Sequence, residues 1–199
     1  MRYADDLAYI HHTGFADLAR DASPFLVELV RRRRVRGPVV DLGCGSGIVL
    51  RALGDAGFDD VIGVDLSKSM LQIAKKTAPK ARLLHASVYS APLPKQCAAV
   101  LAVGEPLNYV EPSGRAPPIA PLFEKIARSL ADGGVFVFDV IVDRPGRSLT
   151  RRGWSAGDAW ACLVDTREDD ARHRIVRDIT MFVRRDRRGY VRSREVHHV

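Results

Sequence analysis

The stretch VVDLGCGSGIVLRAL, residues 39–53, decides how this chain folds. Its first part, Val39 to Leu42, is a short apolar run typical of a buried strand, and Gly43 closes it. A helix is predicted from Ile48 to Ala56, ending near Gly57. Because glycine has no Cβ, the glycine-rich turn between strand and helix lets a nucleotide-like ligand approach the backbone closely.

The same order of strand, turn and helix continues downstream. Val61 to Asp65 is the second predicted strand, and Ser67 is the predicted N-cap of a helix that runs to about Ala78 and stops at Pro79. Later apolar runs predict strands at Arg82–Ala86, Ala98–Val103 and Val135–Val142, with a helix at Pro121–Leu130 before the turn at Gly133-Gly134. Strands alternating with helices predict an α/β fold, with a Rossmann-like, mostly parallel sheet and flanking helices.

Both flanks of this core have a different pattern. Residues 1–38 carry apolar side chains at helical spacing, and Ser23 followed by Pro24 predicts a helix start. Residues 143–199 contain predicted strands without an intervening helix, at Trp160–Val164, Ile175–Val183 and Tyr190–Val196, with a hairpin turn at 186–189. We expect one domain over residues 1–199: a helical N-terminal cover (1–38), a cofactor-binding α/β core (39–142) and an antiparallel β extension (143–199) stacked on, or added to, the parallel sheet.

Two carboxylates accompany the glycine-rich turn. Asp41 precedes the glycines, and Asp65 ends the second strand 22 residues after Gly43. Parallel neighbours end at the same sheet edge, so Asp65 should lie beside the turn, where a carboxylate can accept both hydroxyls of a ribose. The dinucleotide fingerprint GxGxxG would need glycine at position 48, which is Ile48, because the third glycine comes one place early at Gly47. The GxGxG spacing suits an adenosine ligand without a pyrophosphate.

Four segments in order resemble the motif series of class I S-adenosylmethionine-dependent methyltransferases of the small-molecule type. They are VVDLGCGSG (39–47), VIGVDLSKSML (61–71), AAVLAVGEPLNYV (98–110) and GGVFVFDVI (133–141), and the resemblance covers about residues 3–142. A lone GxGxG would be a weak signal, whereas four segments in the right order and spacing are a strong one. The resemblance implies S-adenosyl-L-methionine as the cofactor.

The resemblance also implies a set of cofactor-binding residues. Around the methionine part it places Asp41, Gly43 and Gly45, on the ribose Asp65, and along the adenine Leu66 and Met70. Cys44 and Gly104 are also expected to bind the cofactor. Many family members have an acidic residue after the third strand to bind the adenine amine, where this chain has Ser87 and Val88. Recognition of the ring is then left to a hydroxyl or a backbone amide.

The loop after the fourth strand lines the space between methyl group and acceptor in this family. Here that loop carries Gly104, Glu105, Asn108 and Tyr109, although it could also simply cap the strand. We expect in-line displacement of the methyl group, with the protein mainly aligning the acceptor. A general base is sought among Glu105, His12 and Tyr109, with His11 and Tyr9 as further candidates, each of which also has a purely structural explanation.

Composition narrows the possible partners. The excess of positive charge lies at the C-terminal end, where residues 144–199 hold 14 Arg against 8 Asp and Glu. Without interleaved aromatic side chains or a known binding motif, nucleic acid is the less favoured partner. The expected function is methyl transfer to a small molecule, with a catalytically inactive cofactor-binding protein and an RNA methyltransferase as alternatives. The sequence GEPLNY (104–109) is not an Asn-Pro-Pro-Tyr type motif, which argues against methylation of DNA adenine amines.

Other classes of site find little support in the sequence. The cysteines Cys44, Cys97 and Cys162 are widely spaced and lack zinc-type spacing, so no metal site is predicted. No apolar run approaches the roughly 18–20 residues that cross a bilayer, and the first residues do not read as a signal peptide. We therefore expect no membrane partner and a cytoplasmic location.

The C-terminal extension allows two interpretations. A class I core normally closes with one more helix and two strands, and that helix is missing from the pattern. The first interpretation is that the chain ends early, leaving an exposed sheet edge through which a homodimer could form. The rival interpretation makes Ile175–Val183 and Tyr190–Val196 the closing hairpin of the parallel sheet.

Overall fold

The computed structural model describes residues 3–110, 117–142, 150–169, 174–186 and 189–199. The helices are α1 (Asp5–Gly14), α2 (Asp17–Arg33), α3 (Ile48–Asp55), α4 (Lys68–Thr77) and α5 (Ile119–Ser129). The strands are β1 (Val39–Leu42), β2 (Val61–Asp65), β3 (Arg82–His85), β4 (Cys97–Ala102), β5 (Leu130–Phe138), β6 (Thr150–Gly157), β7 (Trp160–Asp169), β8 (Arg174–Asp186) and β9 (Gly189–His198).

The α/β core is a five-stranded parallel sheet in the order β3-β2-β1-β4-β5. All residues of β1 and β4 are buried, as expected of parallel strands that are covered on both faces. The chain reverses its direction of travel across the sheet between β1 and β4, so a crevice opens at the carboxyl ends of these two strands. The predicted mostly parallel sheet with flanking helices is confirmed.

Helices cover the two faces of this sheet with separate apolar clusters. On one face, α2 and α3 contribute Leu26, Val30, Leu50 and Leu53. On the other face, α5 contributes Leu122 and Ile126, which pack with alternate residues of β1, β2 and β4. The alternation within each strand fixes the register, because a shift by one residue would exchange the two faces.

The predicted helix start at Ser23 is wrong, because α2 begins at Asp17 and contains Pro24. The Ser23 hydroxyl donates instead to the carbonyl of Ala19, one turn earlier in the same helix. Leu26 and Val30, beyond the proline, are buried in the same cluster that Ala19 packs against. Packing on both sides of Pro24 therefore outweighs the interior-proline penalty of about 3 kcal/mol.

The predicted strand at Val135–Val142 is displaced toward the N-terminus. The strand β5 already begins at Leu130 and ends at Phe138, and Gly133 and Gly134 lie within it rather than in a turn before it. A Cβ at Gly134 would lie 2.8 Å from the carbonyl oxygen of Cys97, so glycine is needed where β5 approaches β4. Val140 and Val142 extend the apolar run in sequence, but both side chains are exposed.

The C-terminal residues form a separate four-stranded antiparallel sheet in the order β6-β7-β8-β9. The closing-hairpin interpretation is wrong, since β8 and β9 pair in this second sheet and not in the parallel one. The predicted turn includes residues 187–188, which lie outside the described residues, although Asp186 pairs with Gly189 across it. The strand β6 was not predicted, because its exposed, Arg-rich and Gly-containing sequence has no apolar alternation.

A third apolar cluster attaches α1 to the antiparallel sheet. Leu7 and Ile10 of α1 pack against Trp160, Cys162, Ile179, Met181 and Val183. The fit around the Trp160 indole is close, since a Cβ at Gly14 would come within 2.1 Å of it. The helix α1 also contacts α4 of the core, so it connects the two sheets. None of the described helices is both long and apolar enough to cross a membrane.

The chain's two tryptophans allow a matched test of this cluster, since both lie in the antiparallel sheet. Trp160 is 6% exposed and Trp154 is 80% exposed. We expect Trp160→Ala to lower the free energy of unfolding by about 3–5 kcal/mol, because it leaves a cavity between α1 and β7. Trp154→Ala should change it by less than about 0.5 kcal/mol. Urea unfolding followed by circular dichroism measures both, and equal effects would contradict the packing described here.

Candidate active site

A cavity of about 350 Å³ lies at the carboxyl ends of β1, β2 and β4. Its floor is the glycine-rich turn of the core, and α1 with β8 covers it from the other side. The volume falls in the range of about 300–1,000 Å³ that small-molecule sites occupy. Thirteen residues expected at a site line it together: His11, Asp41, Gly43, Cys44, Gly45, Asp65, Leu66, Met70, Ser87, Val88, Gly104, Glu105 and Tyr109.

The Asp65 carboxylate organises the floor of the cavity. One oxygen accepts the backbone N–H of Gly45 at 2.8 Å, and the other accepts the N–H of Ser67 at 2.8 Å. These bonds tie the turn after β1 to the N-terminus of α4. Burial raises the pKa of Asp65, while the bonds from Ser67 and Gly45 act in the opposite direction by stabilising the carboxylate.

Two glycines of the turn meet different surroundings. A Cβ at Gly43 would lie 2.5 Å from Cβ of Pro106, so this residue allows close packing of the loop after β4. At Gly45, a Cβ would meet no atom of the described residues within 4 Å. Its φ of 51° still favours glycine, and its backbone lines the cavity. Gly45 therefore leaves room for a ligand against the main chain.

Asp41 supplies a second buried carboxyl on the cavity wall. It is 3% exposed, and burial, reinforced by the charge of Asp65, raises its pKa to about 7. Burial also raises the pKa of the neighbouring Cys44 thiol well above its ordinary value, so this cysteine remains a neutral thiol. A cation bound beside Asp41 would favour its ionised form.

Apolar and hydroxyl groups line the part of the cavity near β2 and β3. Leu66 is a large apolar side chain left 45% exposed, while Met70 is 3% exposed. Val88 is buried in the core cluster beneath α5. The Ser87 hydroxyl accepts the N–H of Tyr89 at 3.3 Å, which shapes this loop at the cavity wall. A flat apolar ring could pack against Leu66 here.

The loop after β4 is held in an unusual backbone conformation. Glu105 has a φ of 64°, a left-handed value that non-glycine residues rarely adopt and that recurs at functional sites. The Asp139 carboxylate stabilises it by accepting the N–H groups of Gly104 and Glu105. The Glu105 side chain then pairs with Arg177 of β8 at 2.9 Å, joining the two sheets across the cavity.

Aromatic and imidazole groups form the remaining wall. The hydroxyl groups of Tyr3 and Tyr109 are 3.0 Å apart, and the rings of Tyr3 and His11 are 5.3 Å apart. Burial, reinforced by Tyr109, raises the pKa of Tyr3 well above its ordinary value, so Tyr3 keeps its proton. Burial, together with His12, lowers the pKa of His11 and keeps it neutral. Among the described residues, the buried Nδ1 of His11 finds no hydrogen-bond partner.

The candidate bases from the sequence are thus only partly brought together. Glu105, Tyr109 and His11 line the cavity, whereas His12 and Tyr9 do not. Both belong to α1, in which successive residues point in different directions, and Tyr9 borders a shallower depression near the β6–β7 turn. The structure gives no support to His12 as a residue of this site.

Among the wall residues that sequence reasoning missed are Tyr3 and Arg177. Tyr3 lies just before α1, and an aromatic residue preceding an acidic helix start carries no specific signal. Arg177 is one of many arginines in the C-terminal extension, and only the three-dimensional pairing with Glu105 distinguishes it.

Residues 39–134 match the family described as "Methyltransferase domain". A relative named dTDP-3-amino-3,6-dideoxy-alpha-D-glucopyranose N,N-dimethyltransferase, from Streptomyces fradiae, is 33% identical over 129 residues, which cover 64% of this chain and 49% of that protein. The chain thus spans about half the length of this relative.

Two solved structures share the fold. DesVI of Streptomyces venezuelae has a TM-score of 0.75 at 22% identity, with 97% of this chain and 80% of that chain covered. The sugar N-methyltransferase KedS8 of Streptoalloteichus sp. has a TM-score of 0.72 at 22% identity, with 100% and 78% covered. At this identity the likeness concerns the fold. The motifs of the core are assembled around one cavity, and the match over residues 39–134 identifies this part of the chain as a methyltransferase domain, with the fold of solved S-adenosylmethionine-dependent methyltransferases.

Proposed function

We propose that this protein transfers a methyl group from S-adenosyl-L-methionine to the amine of a small acceptor of the amino-sugar class. The observation that carries the proposal is the meeting of the Asp65 carboxylate and the Gly45 backbone in one cavity, joined by a 2.8 Å hydrogen bond. The amino-sugar class is supported by the names of the Streptomyces fradiae relative and of KedS8.

The residues present fit this cofactor. Asp65 offers carboxylate oxygens to the ribose hydroxyls, and Gly45 leaves open space where a side chain would obstruct a ligand. Asp41 offers a counter-charge to an ammonium group, while Leu66 and Met70 give an apolar surface for the adenine, with Ser87 and Val88 at its edge. Gly43, Cys44 and Gly104 complete the wall through backbone or small side chains. When bound, the cofactor supplies a methyl group activated by its sulfonium, for in-line displacement.

The wall formed by α1, β8 and the loop after β4 holds the acceptor. His11 is the best-placed proton acceptor, because burial keeps its imidazole neutral and, unlike His12, it lines the cavity. Glu105 is neutralised by Arg177, and Tyr109 is paired with Tyr3, so these residues orient the acceptor amine rather than remove its proton.

Two measurements test the function: calorimetry with S-adenosylhomocysteine, and an assay of S-adenosylhomocysteine formation from S-adenosyl-L-methionine. The acceptor used in the assay is dTDP-3-amino-3,6-dideoxy-α-D-glucopyranose, and the control acceptor carries a hydroxyl in place of the amine. We expect product with the amine and none with the hydroxyl. His11→Gln should lower turnover about 100-fold, a typical general-base contribution, and His12→Gln should leave it unchanged. Cofactor binding without turnover on any amino sugar would favour the inactive binding protein.

Asp65→Asn tests the ribose contact. We expect the affinity for S-adenosylhomocysteine to fall about 10- to 100-fold, because hydrogen bonds to a charged group contribute about 1.5–3 kcal/mol. The matched control is Asp60→Asn, which removes an exposed carboxylate that pairs with Arg82 at the opposite end of β2. Calorimetry gives both affinities, and thermal unfolding checks that both variants are folded. Equal affinities would contradict the role of Asp65.

Asp41 should make cofactor binding depend on pH. Its folded-state pKa of about 7 lies above the ordinary value, so its ionisation opposes folding as pH rises through 7. A ligand ammonium lowers this pKa again, so binding near pH 6 should release close to one proton, and affinity should rise up to about pH 7 and then level off. Calorimetry in buffers of different ionisation enthalpy measures the proton. If Asp41→Asn still releases a proton on binding, the proton comes from another group and the role of Asp41 is contradicted.

A further inference from the structure

A carboxylate from the last strand holds the start of α1. The two carboxylate oxygens of Glu195 accept the N–H of Tyr3 at 2.7 Å and the N–H of Ala4 at 2.9 Å. Ala4 precedes α1 and provides no side-chain cap, so Glu195 caps the backbone just before the helix and places a negative charge near its positive end. The Glu195 side chain is only 8% exposed, which shields these bonds from water.

The bonds from Glu195 hold Tyr3 in a strained conformation. Its φ is 50°, in the left-handed region, where a tyrosine persists only if its surroundings fix it. The other side of the same residue is fixed by Ser67, whose hydroxyl donates to the Tyr3 carbonyl oxygen at 2.6 Å. Ser67 in turn donates its N–H to Asp65, so the hydrogen bonds that fix Tyr3 connect to the ribose-binding side of the cavity.

The strained backbone directs the Tyr3 ring into the cavity wall. The ring lies 5.0 Å from that of His197, and the Tyr3 hydroxyl meets that of Tyr109. His197 is 1% exposed, and its Nε2 lies 3.0 Å from the Glu195 oxygen that also accepts the Tyr3 N–H. Glu195 thus fixes both the backbone of Tyr3 and the ring packed beside it, without lining the cavity itself.

We propose that Glu195 is a positioning residue for cofactor binding, which holds the Tyr3 ring in the cavity wall, on the side that Ser67 connects to Asp65. The inference rests on the proposed function. It adds that the antiparallel sheet, through β9, contributes to cofactor affinity alongside the motifs of the core.

A double-mutant cycle with S-adenosylhomocysteine as the probe tests this inference without an acceptor. Calorimetry on the full chain compares wild type, Glu195→Ala, Tyr3→Ala and the double variant. We expect Glu195→Ala to weaken binding about 10-fold, equivalent to about 1.4 kcal/mol. In the Tyr3→Ala background the same change should weaken it less than about 2-fold, because no ring remains to be positioned. Additive losses would show that Glu195 acts on the fold in general and would overturn the inference.

Ser193→Ala is the matched control. Its hydroxyl donates to the Asp6 carboxylate at 2.6 Å, so it also joins β9 to α1 but touches neither Tyr3 nor the cavity. We expect unchanged affinity in this variant. Glu195→Gln, which keeps one acceptor oxygen, should bind with intermediate affinity. This variant keeps the test valid if the alanine variant does not fold. Wild-type affinity in both Glu195 variants would overturn this inference alone, and no binding by the wild type would overturn the proposed function as well.

Discussion

The hydrogen bond from the Gly45 amide to the Asp65 carboxylate is the interaction on which the site depends. It joins the turn after β1 to the end of β2, two strand ends that parallel pairing already brings to one edge. A left-handed glycine on one side and a buried carboxylate on the other leave open backbone and a charged acceptor facing the same space. Loss of either would leave a Rossmann-like core without a defined floor for an adenosyl ligand.

The second sheet turns this open crevice into a cavity. The parallel core alone would leave its carboxyl edge open to solvent, as open α/β sheets do at the switch point. Here α1 and β8 supply the opposite wall, anchored by the Trp160 cluster on one side and by the Glu105–Arg177 ion pair on the other. Enclosure lowers the local dielectric, so the buried carboxylates and the neutral imidazole at this site interact strongly with charges on a ligand.

Local patterns predicted the core well because its signals lie within short stretches. The glycine-rich turn, the apolar β1 and the acid that ends β2 together placed Asp41, Gly45 and Asp65 at one edge, where the cavity is found. The opposite wall of the cavity could not be predicted from local sequence patterns. Tyr3, Arg177 and Glu195 act through partners between about 60 and 190 residues away, as in the Tyr3–Ser67 and Ala4–Glu195 bonds. The choice between His11 and His12 likewise depended on the rotation of α1, which apolar spacing alone did not resolve.

A crystal structure of the full chain grown with S-adenosylhomocysteine would show whether Asp65 and Gly45 hold the adenosyl ligand. We expect electron density in the cavity at the β1–β4 crevice, with both ribose hydroxyls within hydrogen-bond distance of the Asp65 carboxylate and the ligand lying along the Gly45 backbone. Density for the ligand at any other place, with Asp65 and Gly45 untouched, would contradict this expectation.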